Sequence, residues 1–246
     1  MKQAEEFFTS TYKDYIFGFS KKLTEIQCNE ILKVIESPVT GNTVGLEGRR
    51  SIQKLFLSEI GSVVVKNYRR GGFASKFIGS RYLRWGSTRS QVEYQSLKLV
   101  RSLGINAPEP VTFVQTKGDI FYSAWLVTKE IVGSRSLASL SKTDEVTARN
   151  ITAKAAMMIV ELIQNGVVHV DLHPGNVLLG EDQKVYLIDF DKAYITNGSR
   201  KELRDFYLCR WRRACIKHEL SEYLCEIMSL ALRQHEAWDP NCKVVR

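Results

Sequence analysis

The chain has 246 residues, 44% hydrophobic and 25% charged, with 35 basic against 27 acidic side chains and a formal net charge of +8. This balance excludes fibrous and intrinsically disordered classes, and the length allows one large domain or two lobes around sizeable cores. The positive excess points to an anionic partner: nucleic acid, an acidic membrane surface or a phosphorylated substrate.

The first residues, Met1 to Tyr15, mix acids and bases without the apolar run of a secretory signal, so export is not expected. Asn42 to Phe56 reads as a strand, a turn around Gly45-Leu-Glu-Gly48-Arg-Arg, and a second strand starting near Ser51. Ser62-Val-Val-Val-Lys66-Asn-Tyr68 follows as a β-branched strand, the third of an antiparallel meander. From Ile60 to Val92 there is no acidic residue, while Lys66, Arg69, Arg70, Lys76, Arg81, Arg84 and Arg89 alternate with aromatic side chains. Val92, Leu97, Leu99, Val100 and Leu103 lie near one apolar face of a predicted helix over 90–103, stopped by Gly104. Val111–Gln115 and Phe121–Lys129 read as a hairpin about the turn Lys117-Gly-Asp. Past Gly133 the pattern turns helical. A long helix covers Glu145 to Asn165 and ends at Gly166. Val177-Leu-Leu and Lys184 to Asp189 form a small hairpin, and another helix lies near Leu203. The most apolar stretch of the long helix, Ala155 to Ile163, is far short of the roughly 20 residues that cross a bilayer, so no membrane span is expected. The five scattered cysteines lack a C-x-x-C pair, which favours reduced thiols over disulfides or zinc.

The chemistry concentrates in His169-Val-Asp171-Leu-His-Pro-Gly-Asn176, followed 13 residues later by Asp189-Phe190-Asp191 at the end of a strand. Both spacings match the catalytic loop and metal-binding aspartate of protein kinases. Phosphoryl transfer needs an acceptor hydroxyl held in line, a carboxylate near its proton, and divalent cations on the phosphates. Asp171 is therefore the candidate catalytic carboxylate, and Asn176 and Asp189 are the candidate Mg²⁺ ligands. His169 is expected to brace the loop by hydrogen bonding, and His173 to pack on it. A kinase also needs a cation on the phosphates, held by an acid on the helix of the first lobe. Lys66 and Glu93 stand in that order. Gly45, Gly48 and Ser51 are the candidate phosphate-loop residues, though the loop has only two glycines.

With these residues in place the chain resembles the lipopolysaccharide kinase family, most closely its Kdo kinases, over roughly Gly45 to Arg213. The resemblance rests on Lys66-Asn-Tyr-Arg-Arg-Gly-Gly72, Gly79-Ser-Arg81-Tyr82, Thr88-Arg89-Ser90 with Glu93, Pro108-Glu-Pro110 and the second acid of Asp189-Phe-Asp191. It implies an α+β, protein-kinase-like two-lobed fold: an antiparallel sheet with one helix over 1–131 that binds nucleotide, and a mainly helical lobe over 132–246 that carries catalysis and acceptor binding. It further implies ATP and Mg²⁺ as cofactors and Kdo-lipid A as acceptor, on the cytoplasmic face of the inner membrane of a Gram-negative cell. Arg69, Arg70, Arg81 and Arg89 become the expected acceptor-binding residues, and the basic stretch gains an anionic membrane surface to meet. Neither nucleic acid nor an obligate protein partner is expected. Arg50 stands where such kinases tend to carry another glycine, and Lys66 where close relatives use arginine.

Other readings stay open. A heptose kinase of the same family would look similar. A protein kinase fits less well, because only about a dozen residues separate Asp189 from the helix near Leu203 and no Ala-Pro-Glu follows. Aminoglycoside- or choline-type phosphotransferases share the loop but not Arg69-Arg-Gly-Gly72. A non-catalytic pseudokinase with a basic binding face is opposed by the joint presence of Lys66, Glu93, Asp171, Asn176 and Asp189.

Overall fold

A computed structural model describes residues 7–37, 52–68, 82–83, 87–117 and 121–234. The chain divides into two compact units, one of Gln3–Lys98 with Glu109–Glu130 and the other of Leu99–Pro108 with Ile131–Arg246.

The first unit contains β1 (Phe8–Tyr12), β2 (Tyr15–Phe19), α1 (Glu25–Glu36), β3 (Ile52–Leu57), β4 (Gly61–Tyr68) and β5 (Tyr82–Leu83). The start of α2 (Arg89–Ser102), β6 (Pro110–Thr116), β7 (Phe121–Tyr122) and β8 (Ala124–Lys129) complete it. Six strands form an antiparallel sheet in the order β1-β2-β6-β8-β4-β3, and β5 pairs with β7 separately. Val63 and Val65 alternate onto one face and meet Phe17, Phe19, Leu57, Val114 and Val127. Cys28, Ile31 and Leu32 of α1, at helical spacing, close this core from above the sheet. Ile31 and Leu32 are 0% and 1% exposed, and burying each contributes roughly 2 kcal/mol. Thr24 and Gln27 form a reciprocal capping box that starts α1 and is worth about 1 kcal/mol. Phe113 points to the other face, where its ring lies 5.5 Å from that of Tyr94 on α2. Room for the ring comes from Gly18, where a Cβ would sit 2.0 Å from Phe113 Cζ.

The β1–β2 hairpin and α1 add to the elements expected, so the sheet unit carries two helices and Lys66 lies on the fourth described strand. The strand expected before Gly45 lies outside the described residues.

The second unit contains β9 (Arg135–Ser136), α3 (Leu137–Thr143), α4 (Glu145–Gln164), β10 (Val167–Val168), β11 (Val177–Leu179) and β12 (Val185–Leu187). β13 (Tyr194–Ile195), α5 (Arg200–Lys217) and α6 (Tyr223–Gln234) follow. Asp144 caps α4 by accepting from the Thr147 N–H, and Gly166, at φ +65°, supplies the left-handed turn that stops it. Nine residues of α4 from Ala148 to Ile163 are buried, a width that lets it pack against α3, α5 and α6 together. Trp211 and Tyr207 of α5 are the largest side chains of this core. β12, β11 and β9 form a small antiparallel sheet, and β10 pairs with β13. No helix among the described residues is long and apolar enough to cross a membrane. The described cysteines, Cys28, Cys209, Cys215 and Cys225, are free thiols.

Candidate functional site

In the sheet unit, period-2 alternation turns Lys66 away from the core that Val63 and Val65 enter. Its Nζ donates to Glu93 Oε1 and Oε2 at 2.8 and 2.6 Å. Both side chains are largely covered, at 14% and 3% exposure. Glu93 sits one turn into α2, whose first residues Thr88 and Ser90 are buried and hydrogen-bonded to each other. Tyr68 donates its hydroxyl to Glu93 Oε2, and its ring lies beneath both Lys66 Nζ, 5.2 Å away, and the Arg89 guanidinium, 5.5 Å away. Lys66 and Glu93 thus form the ion pair expected, and Arg89 lies beside it. Gly45, Gly48, Ser51, Arg69, Arg70 and Arg81 lie outside the described residues.

In the helical unit, the loop from Val168 to Asn176 is tied down at four points. The His169 N–H donates to the Tyr207 hydroxyl at 2.8 Å, and that hydroxyl donates to the Val167 carbonyl at 2.8 Å. His169 Nε2–H donates to the Ile188 carbonyl at 2.9 Å, which fixes the tautomer, and its ring packs 4.5 Å from the buried ring of Phe190. The imidazole is fully buried and its Nδ1 has no hydrogen-bond partner among the described residues. Burial pushes its pKa down from the ordinary 6.5 to about 4, against the pull of the Ile188 bond and of Asp189 and Asp171. The ring is neutral and structural, as a brace should be. Burial likewise holds the Tyr207 phenol well above its ordinary range.

Further along, a 3₁₀ turn over Pro174–Asn176 is capped by His173, whose Nδ1 accepts from the Gly175 N–H at 3.0 Å. The His173 ring stacks 6.2 Å from that of His218, and burial lowers its pKa, opposed by Asp171 and reinforced by His218 and Arg210. Asn176 donates its Nδ2 to the Asp171 carbonyl at 2.8 Å, and its own carbonyl accepts from the Ile188 N–H at 3.0 Å. The second bond ties Asn176 directly to the residue before Asp189.

Asp171 extends a carboxylate that is 55% exposed. Its Oδ1 accepts from Arg210 Nη2 at 2.6 Å, and the guanidinium rests over Phe206, one turn earlier on α5. Asp189 has φ +69°, the left-handed region that a side chain enters at a strain of roughly 1–3 kcal/mol and that recurs at functional sites. Phe190 beside it is fully buried, and Asp191 is buried as well.

The two groups place four expected side chains in two ordered clusters, Lys66 with Glu93, and Asp171 with Asn176, the latter tied to the backbone leading to Asp189. Three participants were not anticipated: Tyr68 on the ion pair, Tyr207 under His169, and Arg210 on Asp171. Tyr68 had a signal, since it lies two residues past Lys66 on the same strand face. Tyr207 and Arg210 come from a helix more than thirty residues downstream and had none.

Among the described residues no three His, Cys, Asp or Glu side chains gather as a metal cluster. The available donors are oxygens, the Asn176 amide carbonyl and the Asp189 carboxylate. That set suits a hard cation that keeps waters and phosphate oxygens as its other ligands, which is how Mg²⁺ is held.

Residues 40–222 match the model of the Lipopolysaccharide kinase (Kdo/WaaP) family. Among curated proteins, the 3-deoxy-D-manno-octulosonic acid kinase of Vibrio vulnificus (strain CMCP6) is 30% identical over 139 residues, 56% of this chain and 58% of that protein. The enzyme of the same name from Photobacterium damsela subsp. piscicida is 29% identical over 188 residues, 75% of this chain and 74% of that protein. The matched segment thus spans less than two thirds of the Vibrio protein, and more of the Photobacterium one. Among solved structures, a ROP18 kinase domain in complex with AMP-PNP and sucrose aligns at a TM-score of 0.43 and 15% identity, over 63% of this chain and 51% of that one.

Proposed function

Because this chain belongs to the lipopolysaccharide kinase (Kdo/WaaP) family, we propose that it transfers the γ-phosphate of ATP to a hydroxyl of the Kdo sugar on lipid A during inner-core biosynthesis. The observation that carries this reading is the backbone continuity between Asp171, Asn176 and Asp189, an exposed carboxylate and two oxygen ligands tied through the Asn176–Ile188 bond.

In this reading Lys66, held by Glu93, binds the ATP phosphates, with Gly45, Gly48 and Ser51 contributing from the preceding loop. Asn176 and Asp189 hold Mg²⁺, which when bound neutralises charge on the phosphates. Asp171 accepts the proton of the acceptor hydroxyl as that oxygen bonds to the γ-phosphorus and the bond from phosphorus to the ADP oxygen breaks, so ADP leaves with the electron pair. His169 holds the loop and exchanges no proton, consistent with its depressed pKa. Residues 1–131 form the nucleotide-binding lobe of this scheme and 132–246 the catalytic and acceptor-binding lobe. Arg69, Arg70, Arg81 and Arg89 bind the phosphates of the lipid acceptor, and the same basic stretch holds the protein peripherally on the anionic cytoplasmic face of the inner membrane.

The test is transfer of labelled γ-phosphate from ATP to purified Kdo-lipid A with Mg²⁺ present, comparing the wild type with Asp171→Asn and Asp189→Asn. Label in the lipid that vanishes in both variants supports the assignment. Label appearing only on a heptose-bearing core moves the acceptor within the family. No transfer to any lipid or sugar sinks the kinase reading.

A further inference from the structure

Arg210 is fixed beside the catalytic carboxylate yet most of its hydrogen-bonding capacity is unspent. Its Nη2 donates to Asp171 Oδ1 at 2.6 Å, while Nε and Nη1 meet no acceptor among the described residues. The side chain is 34% exposed, and Phe206 supports one face of the guanidinium. On α5 the residues at Leu203, Tyr207, Trp211 and Cys215 are buried, so Arg210 stands at the edge of the packed stripe and turns outward at the loop. A guanidinium has five N–H donors in a planar fork matched to a carboxylate or phosphate. One nitrogen orients Asp171 and leaves Oδ2, which has no partner among the described residues, for the hydroxyl. The rest of the fork is left unspent beside the carboxylate that an acceptor must reach.

Electrostatics favours a use for it. Any acceptor whose reacting hydroxyl reaches Asp171 approaches carboxylates at 171 and 189, and an acceptor that carries an acid of its own is repelled by both. Burial lowers the pKa of His173, which disfavours its cationic form. Arg210 is a fixed positive charge beside Asp171 that can offset the repulsion.

We infer that Arg210 is a specificity residue, binding the carboxylate of a sugar-acid acceptor with the donors left over from its bond to Asp171. Base and acid-recognition group are thereby set at a fixed separation, so that the enzyme selects hydroxyls placed at a defined distance from an acid. The inference rests on the kinase reading above and adds a specificity residue to the same site.

Kdo-lipid A and its analogue with the Kdo carboxyl converted to a primary amide are compared as acceptors for the full chain, in the wild type, Arg210→Gln and Arg210→Lys. The wild type should favour the acid about tenfold or more in kcat/KM, the scale of one charge-assisted hydrogen bond. Arg210→Gln should bring the acid-to-amide ratio near one, chiefly through KM for the acid, and Arg210→Lys should restore part of it. Equilibrium binding of the two lipids, read without turnover, gives the same ratio if Arg210→Gln transfers too slowly to follow. A ratio indifferent to Arg210, with equal losses on both acceptors, overturns the inference and leaves Arg210 as a group that positions Asp171 or contacts the phosphoryl group. A wild type that phosphorylates neither lipid overturns the kinase reading itself.

Discussion

Replacing His169 by phenylalanine should remove an acid sensitivity from the helical unit. The folded state holds this imidazole neutral, with its pKa near 4 against an ordinary 6.5 once the chain unfolds. As pH falls, the unfolded chain takes up the proton first, so the stability linked to His169 is intact above pH 6.5, is lost between 6.5 and 4, and is constant below 4. Each tenfold difference in proton affinity between the folded and unfolded chain is worth about 1.4 kcal/mol, so the whole effect is about 3 kcal/mol, and about 2 kcal/mol of it falls between pH 7 and pH 5. At pH 7 the substitution itself is unfavourable, by about 1–3 kcal/mol, because the Ile188 carbonyl loses its donor. The diagnostic quantity is therefore the slope. Urea denaturation followed by far-UV circular dichroism at the two pH values should show the wild type losing about 2 kcal/mol more than His169→Phe. The contribution of His173 is common to both proteins and cancels. Equal pH dependence, or a His169 ring resonance titrating near 6.5 by NMR, would refute the assignment of a buried neutral brace.

Lys66→Met leaves the Glu93 carboxylate buried with only part of its partners, and should lower stability by about 3 kcal/mol in thermal denaturation while reducing transfer by about 10²–10³-fold. Replacing Lys66 and Glu93 together by Met and Leu should cost less stability than Lys66→Met alone, yet restore no activity. Gly18→Ala should destabilise the sheet unit by about 1–3 kcal/mol in chemical denaturation, since the added methyl occupies the position of the Phe113 ring; the further change Phe113→Leu should recover part of the loss. Asp189→Gly and Asp189→Ala should both be inactive, with the alanine variant less stable by about 1 kcal/mol because φ +69° strains any residue with a Cβ. Tyr207→Phe should lower stability by about 1–2 kcal/mol and loosen the loop, visible as faster hydrogen exchange at the His169 amide.

The elements that carried clear local chemistry were legible from residues alone. The helix over 145–165 announced itself through its apolar period and terminal glycine, and β11–β12 through short β-branched runs on either side of a turn. The β1–β2 hairpin did not. Its turn places Lys13 at φ +51°, so the glycine or asparagine that would advertise such a turn is missing. The α1 start was written in the Thr24-x-x-Gln27 capping box but lies in a short segment with a modest apolar stripe. Among the candidate residues, motif spacing singled out Asp171, Asn176 and Asp189, and strand-then-helix order singled out Lys66 and Glu93. Tyr207 and Arg210 depend on where α5 docks, and nothing local in a sequence records the docking of a helix.

The bond from Asn176 Nδ2 back to the Asp171 carbonyl closes a ring of six consecutive residues that holds both the proposed metal ligand and the proposed proton acceptor. An aspartate at 176 would offer a cation a full negative charge, which by itself favours binding. It would also set a carboxylate oxygen against the Asp171 carbonyl where an N–H now points, and the ring would spring open. The shape of the loop therefore suits an amide at this position, and the weaker of the two proposed ligands is the one compatible with the proposed base held in place.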